Sequence, residues 1–287
     1  MGGPRNARRA KDVLPMEQLN IDIKPRRCDS FVFEQKNFDV TNLVKYIDKK
    51  KKNGEHITYF HAFVTAIAKC IYNRNKLNRF VQNRHIYEHN DVVISFTAKV
   101  KFEDKAEEVF FMIPVKEDDN IHTISEYIAK RVEEARSPKG IKKEGANKAI
   151  DVLCGLPNIL RVPIVGLVKW MDDKGIIPFG LEKDNLYYSS MIVSNLGSIK
   201  SDSIHHNIVN FGTCSGLTTM GMIKNVEIID DDGKREVRKI CDWGMAFDER
   251  VADGFYFIKS MEYIQHFFSN PETLEEPAGT KYELEKK

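Results

Sequence analysis

Chemistry in this chain is concentrated at residues 247–254, where Phe247, Asp248, Glu249, Arg250, Val251, Ala252, Asp253 and Gly254 follow one another. An alternating run ends at Phe247, and apolar residues then recur at helical spacing through Phe268, so the octet reads as a strand-to-helix corner. Such a corner exposes Glu249 and Asp253 at the rim of a sheet, where a carboxylate can take up or release a proton. A second chemical group stands at residues 194–197, Ser194-Asn195-Leu196-Gly197, at the end of an apolar run from Leu186 to Val193. A serine hydroxyl at a strand end can donate to a developing alkoxide, an interaction worth roughly 3 kcal/mol when well placed. His205 and His206 follow in a polar stretch. They are either surface residues or a source of a general base.

These groups need a scaffold, and the pattern supplies one. Residues 30–39 read as a strand, 39–47 open a helix that ends in the lysines 49–52, and 57–73 carry Phe60, Phe63, Val64, Ile67 and Ile71 as a buried helical stripe. His61 beside that stripe reads as structural. Residues 91–100 and 108–115 read as a strand pair, and 123–136 as a helix with Thr123 as N-cap and Glu126 closing a capping box. Residues 215–229 and 234–247 form a long hairpin with Asp232-Gly233 at its turn. The acidic residues there lack the glutamate of a calcium loop.

The order of elements, together with Tyr59-Phe60-His61-Ala62, Leu77-Asn78-Arg79, Ser194-Asn195-Leu196-Gly197 and the 247–254 octet, resembles the chloramphenicol acetyltransferase superfamily. The nearest branch is the catalytic domain of the 2-oxo acid dehydrogenase dihydrolipoyl acyltransferases, whose signature is His-x-x-x-Asp-Gly. Every fixed position matches except one: Glu249 stands where the family has its catalytic histidine. The resemblance implies an α/β two-layer sandwich, with a mixed sheet and helices on one face, assembled as a homotrimer. It implies an acyl thioester of coenzyme A type as substrate, with Ser194 of one subunit as oxyanion donor facing Glu249 of the next, and Asn195 and Gly197 beside the thioester. It also implies that Asp253 and Gly254 fix the corner, with Asp253 holding Arg26 or Arg27.

A glutamate ordinarily ionises near pH 4.3 and a thiol near 8.5, so the substitution leaves three readings. Glu249 is a desolvated general base, His205 or His206 supplies the base, or the site is silent and the protein is a trimeric scaffold that binds acyl-coenzyme A, a lipid or a protein. An ion pair of Glu249 with Arg250 or with a neighbouring chain accompanies the last.

The 287 residues carry 44 basic and 42 acidic side chains, a net charge of +2, which gives no case for nucleic acid as a partner. Five scattered cysteines without a Cys-x-x-Cys pair argue for reduced thiols, no metal and a cytoplasmic setting. There is no phosphate loop and no lipoyl-bearing segment. Residues 1–20 are expected as a flexible basic tail, 12–29 as irregular chain, 21–272 as the acyltransferase-like domain, and 273–287 as a charged, frayed tail. Within the domain, 138–183 fits the resemblance poorly. This apolar helical insertion either packs on the core, covers an active-site mouth, lines an acyl pocket, or touches lipid or a membrane surface through 155–181.

Overall fold

In the computed structural model, residues 4–99, 108–136, 152–229 and 232–284 are described. Chain order gives β1 (Ala7–Arg9), α1 (Pro15–Ile23), β2 (Phe31–Asp39), α2 (Thr41–Lys52), α3 (Tyr59–Asn73), β3 (Arg79–Gln82) and β4 (His85–His89). There follow β5 (Val92–Lys99), β6 (Glu108–Val115), α4 (Ile121–Arg136), α5 (Asn158–Asp173), β7 (Met191–Asn195), β8 (Gly216–Ile229), β9 (Arg235–Asp248) and α6 (Gly254–Ser269). The main sheet has the order β2-β9-β8-β7-β5-β6. Strand β7 runs parallel to both β5 and β8, and the other pairs are antiparallel, so the sheet is mixed as expected.

Side chains alternate across a strand, so each strand serves two faces. Val193, Met220, Trp243, Met245 and Phe247 point to the face covered by α2, α3, α4 and α6, where they join the large core. Trp243 sits among Phe38, Phe63 and Phe268 at ring-centre distances of 4.9, 5.3 and 5.6 Å, near the edge-on geometry aromatic pairs prefer. Ile192 and Leu217 point the other way and form a small second cluster with Leu186, Ile208 and Cys214. Ser194 and Thr219, two residues further on, share that second face.

Both ends of the chain depart from expectation. β1 pairs with β4, and α1 occupies part of the segment expected as irregular, so residues 1–20 are not simply a tail. Arg8 and Arg79 meet the buried Glu88, and Arg79 also meets the exposed Asp12; strand pairing and these ion pairs, not solvent alone, hold the segment. Residues 273–284 are not frayed. Leu274 and Ala278 are buried, and the Ala278 amide donates to the Asp119 carbonyl at 2.6 Å. The buried Lys69 ammonium donates to the carbonyls of Glu276 and Pro277 and faces the rings of Phe267 and Tyr282, while burial lowers its pKa to about 8. A few anchors hold a segment whose average composition is polar.

The α4 cap also moves: Asn120, not Thr123, accepts from the amides of His122 and Thr123, while Thr123 Oγ1 accepts from Asn120. Burial drives the His61 pKa down to about 4, and the ring accepts from the Thr58 amide, in keeping with a structural role. Strand β7 begins at Met191, since Leu186 to Ser190 form a turn held by Ser95 and Ser189. Of the apolar insertion, α5 is helical as expected, and 138–151 lie outside the described residues.

Candidate functional site

The corner after β9 is built on a buried carboxylate. Asp248 and Arg250 lie two apart, and Arg250 clamps Asp248 with Nε to Oδ1 at 2.9 Å and Nη2 to Oδ2 at 2.7 Å. Ser30 Oγ donates to Oδ1 at 2.8 Å, and Arg27 Nε stands 3.7 Å from Oδ2. Burial pushes the Asp248 carboxyl upward, but the bonds and charge of Arg250, then Arg27 and Ser30, overcome it and hold it below the usual range. Arg27, itself buried, donates to the carbonyls of Val209, Phe211 and Gly212 at 2.7, 3.0 and 2.9 Å. This knot ties the start of β2, the end of β9 and the loop before β8 together.

The lock expected at Asp253 is therefore elsewhere. Asp253 is exposed and caps α6, its carboxylate accepting from the Tyr256 amide at 2.8 Å. Arg26 pairs with Asp29 at the surface. Asp248 fills the role because it is buried at the strand end, whereas Asp253 sits just before the first helical residue, where the free amides of α6 take its oxygen. Asp253→Ala should accordingly cost only about 1 kcal/mol, the value of a cap, in a urea melt. Gly254 has nothing within 4 Å of the position a Cβ would take, so space does not demand glycine there. Gly197 is different: a Cβ would lie 2.9 Å from the Gly221 carbonyl, so this glycine lets the chain after β7 lie against β8.

Glu249 sits on this knot with its amide bonded to the Ser30 carbonyl at 2.8 Å. Its side chain is 35% exposed and ion-paired with Lys24, not with Arg250. It is an accessible, paired carboxylate, not a carboxyl sealed in an apolar pocket.

Ser194 is half-buried, and among the described residues its hydroxyl has no hydrogen-bond partner; Asn195 ends the strand beside it. The register separates it from Glu249. Ser194 pairs with Thr219 and Thr219 with Gly244, five residues before Glu249. Five residues along a strand and two strand spacings put the two about 20 Å apart within one chain.

His205 and His206 are both exposed. His205 lies edge-on to Phe33 at 5.6 Å, and Phe33 is on β2, three strands from Ser194. His206 Nδ1 lies 2.8 Å from the Asn207 carbonyl. Neither touches Ser194 or Glu249. Among the described residues no group of three or more His, Cys, Asp or Glu could hold a metal, and no helix is long and apolar enough to cross a membrane.

Lys24 and Asp248 are the residues that reading the sequence missed. Asp-x-Arg at a strand end was a usable signal for Asp248, since an aspartate there can accept from the amide two residues on in a turn, as it does from Arg250 at 3.1 Å. Lys24 carried none, being more than 200 positions from its partner.

Residues 180–275, which contain both the Ser194 motif and the octet, match the family "2-oxoacid dehydrogenases acyltransferase (catalytic domain)". Over 221 residues the chain is 25% identical to the lipoamide acyltransferase component of the branched-chain alpha-keto acid dehydrogenase complex of Bacillus subtilis (strain 168). That alignment covers 75% of this chain and 41% of the relative, so the chain spans about two fifths of the curated protein it matches. The fold is similar to a probable dihydrolipoamide acetyltransferase from Listeria monocytogenes 4b F2365, with a TM-score of 0.60 and 17% identity over 92% of this chain and 95% of that one. It is also similar to the cubic core of a pyruvate dehydrogenase multienzyme complex (TM-score 0.61, 14% identity, 92% and 94% covered) and to a chloramphenicol acetyltransferase (0.53, 10%, 91% and 99%). The resemblance drawn from residues 194–197 and 247–254 holds, and the fold is the acetyltransferase sandwich.

Proposed function

We propose that this protein is an acyltransferase that moves an acyl group from a thioester of coenzyme A type to an acceptor, at a site shared between neighbouring copies in a trimer. The observation that carries this reading is the register. Ser194 and Glu249 stand about 20 Å apart in one chain, too far to act on one substrate carbonyl, and a second copy that sets its corner against Ser194 would bring them face to face. The nucleophilic atom of the acceptor attacks the thioester carbonyl carbon. Ser194 Oγ–H donates to the oxyanion, and Glu249 takes the proton of the acceptor. Collapse of the intermediate breaks the C–S bond, and the proton returns to sulfur as coenzyme A thiol leaves. Asn195 flanks Ser194 at the thioester, and Lys24 holds the Glu249 carboxylate in place.

The ion pair with Lys24 also favours a second reading, a silent trimeric module that binds acyl-coenzyme A without turning it over. Calorimetric titration with coenzyme A and with short- and long-chain acyl-coenzyme A separates binding from non-binding, and Glu249→Gln separates the two readings. The first predicts saturable binding, about one site per subunit, and loss of most turnover in Glu249→Gln with binding retained. Binding with no turnover in either protein supports the module; turnover unchanged in Glu249→Gln removes Glu249 from the mechanism. No binding at all overturns both readings.

A further inference from the structure

Against the Arg27–Asp248–Arg250 knot, and lined in part by Arg27 and Arg250, lies a cationic hollow between two helices that expose apolar side chains. Helices α1 and α5 are seated on one two-residue turn, Asn83-Arg84, whose positive φ values of 46° and 61° suit a tight β3–β4 hairpin. From α1, Gln18 donates to the Arg84 carbonyl at 3.2 Å, and Asp22 pairs with the Arg84 side chain at 3.0 Å. At the end of α5, Lys174 donates to Asn83 at 3.1 Å, and Gln82 donates to the Asp172 carbonyl at 2.5 Å.

Between them lies a cavity of about 370 Å³. Arg26, Arg84, Lys169 and Lys174 line it with long, exposed side chains. Its acidic lining is Asp172 and Asp173. Asp172 is buried and bound to the Tyr188 hydroxyl and the Gly212 amide, at 2.5 and 2.8 Å. The pairs Arg84–Asp22 and Arg26–Asp29 lie at the surface, where an ion pair is worth little, so an incoming anion can replace the carboxylates. Gln82, also in the lining and buried, keeps Oε1 without a partner.

Beside the hollow, the apolar side chains turn outward. On α5, Ile159 is 82% exposed, Leu167 56% and Trp170 54%, with Leu160 beside them; on α1, Leu19 and Ile23 are exposed. At 1.5 Å per residue, the 16 residues of α5 extend about 24 Å, short of a hydrocarbon core of about 30 Å, and the helix ends in Asp172-Asp173. It suits lying along an interface, with Trp170 at the depth where indoles settle.

We propose that α1, α5 and the hollow form a docking surface for an anionic phospholipid membrane, with the apolar side chains among the acyl chains and a phosphate headgroup between Arg84 and Lys169. Apolar area and cationic charge on one surface match the two contributions to interfacial binding. An acidic protein or a second copy would have to supply both an apolar cover and an anion at the hollow.

The test is co-sedimentation of the full chain with vesicles of phosphatidylcholine alone and of phosphatidylcholine mixed with phosphatidylglycerol. The expected result is binding to the mixed vesicles, at least about tenfold tighter than to phosphatidylcholine, and weakened by salt. Leu167→Asp with Trp170→Asp should lower binding about tenfold or more while the circular dichroism melt is kept. Arg84→Glu with Lys169→Glu should abolish the preference between the vesicle types, an independent readout if the first variant folds poorly. No sedimentation with either vesicle, or binding unchanged in the α5 variant, overturns the proposal. So does a light-scattering mass that falls in the α5 variant, which would show another copy covering the helix.

Discussion

Asp248→Asn is expected to lower the stability of the fold by about 3–5 kcal/mol, because it leaves the buried Arg27 and Arg250 guanidinium groups without their shared counter-ion. Removing one partner of a buried ionic cluster costs far more than the cluster contributes over a hydrophobic substitute, since desolvation of the survivors is no longer offset. The effect carries a pH signature. The folded Asp248 pKa is depressed, so its contribution is present above the ordinary carboxylate value, near 3.9, and is lost as pH falls through the folded value. Urea melts from neutral pH into acid should show wild-type stability declining below about pH 4, with a shallower decline in Asp248→Asn. A loss under about 1 kcal/mol at neutral pH would mean that the knot is not what fastens the corner to β2.

Ser194→Ala is expected to lower turnover about 100- to 1000-fold, with little change in the thermal midpoint. The expectation of small structural cost rests on position: the hydroxyl is half-buried at a strand end and, among the described residues, bonds to nothing. A fall of that size is what removal of one oxyanion donor produces when the hydroxyl meets charge only in the transition state. With dihydrolipoamide as the acceptor that the family resemblance implies, chromatographic conversion of acetyl-coenzyme A to free coenzyme A reports it. Equal loss of kcat and kcat/KM marks a transition-state contact, whereas a rise in KM alone would make Ser194 a binding residue.

How far the molecule was legible in its sequence depended on how local each signal was. The β8–β9 hairpin, the buried face of α3 and the corner at Phe247 were readable because their periods of two and of three to four persist over many residues. Strand β1 was not, since three residues with two arginines show no period and acquire strand geometry from β4. The end of the chain reads as charged and loose, yet Leu274, Ala278 and the carbonyls held by Lys69 fasten it, and four anchors do not move an average. In the octet, two aspartates competed for the arginine. The rule that decides between them is local: the residue before the first helical position caps, and the residue ending a buried strand pairs. The Lys24–Glu249 pair has no local rule behind it, because folding alone brings α1 to the corner.

The most direct test of a site shared between copies is complementation. Ser194→Ala and Glu249→Gln chains, each nearly inactive alone, are unfolded together, refolded as a mixture and assayed for transfer from acetyl-coenzyme A to dihydrolipoamide. If Ser194 of one copy works with Glu249 of the next, random assembly leaves one intact pairing in four, and about a quarter of wild-type turnover returns. If both residues act within a single chain, or if Glu249 takes no part, the mixture stays at the mean of its two components, and the shared-site account is wrong.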